Sequence, residues 1–87
     1  MKVSVWDTYV NRSDGKIMHF DILVPSNFNN EDKIFDFGKN YLKTKEFITK
    51  ELTAKECNFC HIDVAPDIVV QEITEKGYSI IEIENCN

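Results

Sequence analysis

A chain of 87 residues is one domain, and folding removes only about 60–65% of its unfolded surface from water. Hydrophobic content of 43%, including six Phe, three Tyr and one Trp, is enough for a packed core and excludes disorder. The net charge is −5 and no basic run occurs, which excludes the clustered cationic face needed by nucleic acid or an anionic membrane surface.

Residues 2–11 are rich in Val, Trp, Tyr and Thr and predict a strand. The segment Met1 to Asp7 has no apolar run ending in small residues, so no signal peptide is expected. No stretch approaches the roughly 20 apolar residues that span a bilayer. The expectation is a cytoplasmic protein with its three cysteines reduced, an odd count that suits a closed disulfide framework poorly. Ser13-Asp14-Gly15 is a turn signal, and Met18 to Val24 alternates as a returning strand.

The turn fixes which side chains share a face. A two-residue Asp14-Gly15 turn pairs Tyr9 with Phe20. A three-residue turn with Gly15 left-handed in a bulge pairs Tyr9 with His19 and Asp7 with Asp21. The second register gathers Trp6, Val10, Met18, Phe20 and Ile22 on one side and Asp7, Tyr9, His19 and Asp21 on the other. Like sorts with like, so this register is preferred. Its cost is two carboxylates opposite one another, unfavourable unless a cation or a proton lies between them. Asp7, Tyr9, His19 and Asp21 are thus a candidate acid–base or metal patch. The alternative is an ordinary polar outer face of an antiparallel sheet.

Pro25 ends the hairpin. Asn29 or Asn30 caps a helix over 30–44, with Glu31 and Asp32 at its positive end and Lys39, Lys43 and Lys45 at the other. Ile34, Phe35, Phe37, Tyr41 and Leu42 form its apolar stripe. Ile48, Leu52 and Ala54 share parity, so a strand is expected over 49–56, with continued helix as the alternative. Pro66 suits the first turn of a second helix. Gly77 sits at its left-handed stop, with Tyr78 expected to reach back to Ile73. Tyr78 to Glu84 closes as a strand. The order is β-β-α-β-α-β: an α+β single domain over 1–87, with a mixed four-stranded sheet if the last β-α-β is a parallel crossover.

The run Cys57-Asn58-Phe59-Cys60-His61 fits three chemistries: a zinc knuckle, a dithiol redox pair and a haem anchor. Haem is disfavoured because those bonds are made outside the cytoplasm. A redox pair needs a helix beginning at the first cysteine, and the next helix starts near Pro66. Zinc needs two more ligands, for which Cys86 and His61 or His19 are candidates. No second knuckle is present, so free thiols are the leading alternative.

The motifs Val5-Trp6-Asp7-Thr8-Tyr9-Val10, Met18-His19-Phe20-Asp21, Glu56 to His61, Ala65-Pro66, Gly77-Tyr78 and Cys86-Asn87 follow one another in an order that resembles the bacterial domain-of-unknown-function family 2024. The resemblance covers nearly the whole chain. It implies a small single-domain α+β protein without an assigned activity. It also marks Asp7, Tyr9, His19, Asp21, Cys57, Cys60, His61 and Cys86 as positions in recurring motifs.

Three functional expectations follow. The leading one is a binding or regulatory module with a metal or thiol site from Cys57, Cys60, His61 and Cys86. The second is a small enzyme in which His19 moves a proton, oriented by Asp21 or Asp7, with Tyr9 as donor. No nucleotide loop, nucleophile elbow or zincin helix names a substrate. The third is a scaffold whose sheet pairs with a second copy, anchored by Trp6 if that ring faces outward.

Overall fold

A computed structural model describes residues 1–53 and 55–87. The elements are β1 (Lys2–Asn11), β2 (Ile17–Pro25), α1 (Glu31–Leu42), β3 (Cys57–Val64), α2 (Asp67–Lys76) and β4 (Ser79–Glu84). The hairpin closes on three residues. Arg12 N–H donates to the Lys16 carbonyl at 2.8 Å, and Gly15 sits at φ +90°. That turn places Tyr9 opposite His19 and Asp7 opposite Asp21, the register in which apolar and polar side chains separate.

α1 begins where the Asn30 side chain accepts the Lys33 N–H at 3.2 Å, with Glu31 and Asp32 in its first turn. α2 begins after Pro66 and stops at Gly77, whose φ of +91° lets its N–H reach the Ile73 carbonyl at 2.7 Å. Tyr78 stacks on Phe37 of α1, with centroids 4.4 Å apart.

Two expectations about strands are corrected. The segment 49–56 is not the third strand. Thr49 makes a single bridge to Arg12, Leu52 is buried in the core, and Ala54 lies outside the described residues. The strand is 57–64, so the cysteine motif lies on it rather than before it. Leu52 explains the misreading: it fills space against Gly38, where an added Cβ would stand 2.5 Å from the Leu52 Cδ2. Tertiary packing, not sheet alternation, uses its apolar side chain.

The sheet is also not mixed. Its order is β3-β1-β2-β4 and every pairing is antiparallel. The hairpin occupies the centre, and each later strand adds to the outer edge of one hairpin strand. β3 and β4 therefore lie on opposite edges, and α2 carries the chain across the sheet between them rather than making a parallel crossover.

The helices lie on opposite faces. On one, Trp6, Val10, Met18, Phe20, Ile22 and Val24 pack with Ile34 of α1 and with Leu52. On the other, Val3, Val5 and Leu23 pack with Ala65, Val69 and Ile73. Ten helical residues reach only about 15 Å, so α2 covers one end of its face. The other end carries Tyr9, Asp7, His19 and Asp21. Among the described residues no helix is long and apolar enough to cross a membrane.

Candidate functional site

Odd-numbered residues of β1 and β2 point to the α2 face, and the antiparallel register sets them side by side. His19 Nε2 lies 3.5 Å from Asp7 Oδ1 and 3.8 Å from Asp21 Oδ1. One ligand atom from each of Asp7, His19 and Asp21 falls within 4.8 Å of the other two, and among the described residues no other such group of three forms. Tyr9 stacks flat on the imidazole, with ring centroids 4.1 Å apart. The Tyr9 ring shelters the imidazole, whose side chain is only 17% exposed. His19 Nε2 and Asp21 Oδ1 are both closed to solvent and both lack a hydrogen-bond partner among the described residues. An orphaned pair of this kind is rare and costly in a folded protein.

The two carboxyls are driven apart in acidity. The Asp21 carboxyl beside it holds Asp7 below its ordinary value, with further help from the Cys60 thiol and His19. Burial pushes Asp21 up to about 6, and the charge on Asp7 adds to the shift. At neutral pH the patch is therefore anionic, and Asp21 is the group that most resists ionisation.

The cysteine motif is split by the strand that carries it. Cys57 is buried on the α1 face, where Thr8 Oγ1 donates to its sulfur at 3.4 Å. Cys60 is exposed on the other face, within hydrogen-bonding reach of Asp7. A spacing of three residues on a strand of period two turns two side chains to opposite sides. Cys86 is buried at the far edge, its thiol donating to the His19 carbonyl at 3.2 Å. The four-ligand set Cys57, Cys60, His61 and Cys86 is thus not brought together, and all three cysteines are free. Burial raises the Cys57 thiol and the Asp7 carboxylate raises that of Cys60, the reverse of an activated thiolate.

One feature joins the two motifs that the sequence kept separate. The β1–β3 register shifts between Val5 and Trp6, leaving Cys60 as the extra residue of a bulge. Alternation already turns Cys60 to the Asp7 side, and the bulge keeps His61 on that side as well, with His61 Nδ1 3.2 Å from its sulfur and His61 Nε2 3.7 Å from Asp63 Oδ2. A bulge leaves no mark in residue spacing, so sequence reading had no signal for this neighbourhood. Beyond Tyr9 a cavity of about 380 Å³ opens, lined by Asn11, Ile17, Lys50, Glu56 and Asn58 among others. Asp7, His19 and Asp21 do not line it. Trp6, considered above as an outward anchor, is buried on the α1 face and meets Phe59 edge-on at 5.9 Å.

Residues 1–83 match the family described as Domain of unknown function (DUF2024). The chain belongs to that family. This DUF2024 protein is similar over its whole length, and over the whole of the other chain, to protein NE1680 from Nitrosomonas europaea, whose structure was determined by NMR. The two are 37% identical with a TM-score of 0.80. No curated protein matches it.

Proposed function

We propose that this protein is a binding module whose site is a divalent-cation centre formed by Asp7, His19 and Asp21. The observation that carries the reading is the pair of orphaned atoms, His19 Nε2 and Asp21 Oδ1, facing one another beside a second carboxylate. A cation answers each cost of this arrangement. It satisfies the imidazole nitrogen, neutralises opposed carboxylates and replaces the proton that Asp21 would otherwise hold. One imidazole with two carboxylates suits a first-row ion such as Zn²⁺ better than Ca²⁺ or Mg²⁺, which prefer oxygen alone. The Cys60 thiol at the rim adds a softer donor of the same preference.

Calorimetric titration with Zn²⁺ tests the reading. Wild type is expected to bind one ion, more tightly at pH 7.5 than at pH 5, because the metal must displace a proton from Asp21. Asp21→Asn and His19→Gln should each weaken binding by about tenfold or more. Binding that survives both substitutions, or no binding at all, removes the proposal.

A second reading is favoured by one observation, the Asp21 carboxyl raised to about 6 next to His19 and Tyr9. A carboxyl whose proton affinity is raised toward neutrality can serve as a general acid. NMR titration of the Asp21 carboxyl carbon in metal-free protein decides it. A midpoint in the ordinary range for aspartate would end the acid–base reading.

A further inference from the structure

β3 is an edge strand with an open backbone. It stands at one end of the sheet, so one row of its peptide groups meets β1 and the other row meets no strand among the described residues. Every residue from Asn58 to Val64 is exposed. On its α1 side Phe59 is 52% exposed, Ile62 54% and Val64 68%. Folded proteins blunt such an edge with lysine, proline, inward charge or a bulge, and β3 has only the bulge at Cys60. β3 has neither Lys nor Pro, and a single acid, Asp63. The Cys60 bulge lies mid-strand and leaves His61 to Val64 in regular register with β1.

We propose that this edge pairs with β3 of a second copy, antiparallel about a two-fold axis, so that two four-stranded sheets become one of eight. Charge selects the occupant. At the register that sets Ile62 opposite Ile62 of the partner subunit, His61 faces Asp63 of the partner subunit and the reverse holds across the axis. Each Asp63 carboxylate therefore meets an imidazole rather than another acid, while the apolar stripe is continued from one copy into the next. The other free edge is a poor match. β4 presents Glu82 and Glu84, with Glu82 already engaged by Lys45, and it would set acid against Asp63. With a net charge of −5 on each chain, two copies repel over most orientations. β3 carries one carboxylate against the two of β4, so the repulsion is smaller at the β3 edge. The contact is isologous and closes at two copies. The Asp7, His19 and Asp21 patch lies on β1 and β2, so the pairing leaves it open and stands independently of the cation reading.

Light scattering and cysteine trapping test this on the full chain. Wild type is expected at twice the 10.1 kDa monomer mass at high concentration, and Ile62→Lys at the monomer mass with an unchanged circular dichroism spectrum. Opposed residues of paired strands have Cα atoms about 4.5–5.5 Å apart, within disulfide reach. Mild oxidation should therefore link the Cys60→Ser/Ile62→Cys double variant into covalent dimers at least about tenfold faster than a Cys60→Ser/Ser13→Cys control on the hairpin turn. Wild type that stays monomeric, a dimer that survives Ile62→Lys, trapping no faster than the control, or growth beyond two copies would each overturn the pairing.

Discussion

The two faces of this sheet are built from the same two strands and come out opposite in character. On the α1 face, Met18, Phe20, Ile22 and Val24 are wholly buried. On the α2 face, one residue away along each strand, Val3, Val5 and Leu23 are covered while Asp7, His19 and Asp21 are only partly so. The difference comes from helix reach. α1 is aided by Leu52 and by Tyr41, which tilts over Phe20 with centroids 4.7 Å apart. α2 has ten residues and packs over Val3, Val5 and Leu23, so the sheet beyond it is left to polar side chains. The first face stabilises the molecule. The second leaves three ligand atoms grouped, two of them without partners among the described residues.

Phe20→Ala should break the comparison most forcefully, costing about 3–5 kcal/mol in urea unfolding at any pH near neutrality. It removes the centre of the dry face, and a loss below about 1 kcal/mol would mean that this face is not the main core.

Asp21→Asn probes the polar face and should behave in the opposite sense. A carboxyl raised to about 6 in the fold binds its proton more tightly there than in the unfolded chain. Its contribution is therefore fully present below the unfolded value near 4 and is lost as pH rises through about 6. Asp7 is lowered, so its contribution is present above the unfolded value and fades as pH falls through its depressed one. Between these limits, near pH 4–5, the pair is least strained. Metal-free Asp21→Asn should thus gain roughly 1 kcal/mol over wild type at pH 7.5 and little at pH 5. An equal effect at both pH values would show that the two carboxyls do not oppose one another.

The smallest contrast is between the thiols of the two faces. Cys60→Ser should change stability by less than about 0.5 kcal/mol, and Cys57→Ser should cost about 1–2 kcal/mol. A disulfide-exchange reagent should modify Cys60 in native protein and reach Cys57 and Cys86 only on unfolding. Three equally reactive thiols would contradict the split of the motif across the sheet.

Local signals carried much of the fold. Asn30 with Glu31 and Asp32 marks a helix start, Gly77 marks a stop, and Ser13-Asp14-Gly15 sets the hairpin register that puts Asp7 beside Asp21. All of these are decided within a few residues by backbone preference and alternation, so they are legible in one dimension. The third strand was misread because Leu52 obeys the core rather than a local period. The proposed sulfur ligand set failed on the same scale, since strand alternation had to be known at Cys57 before the direction of Cys60 followed.

Alternation along each strand and the chemistry of the turn by themselves determined which residues share a face, because both act between near neighbours. Only the tertiary structure decided that β3 and β4 take opposite edges, that α2 stops short of His19, and that a bulge sets His61 beside Cys60 on the Asp7 face. Those outcomes depend on contacts between segments far apart in the chain, where burial outweighs any local preference.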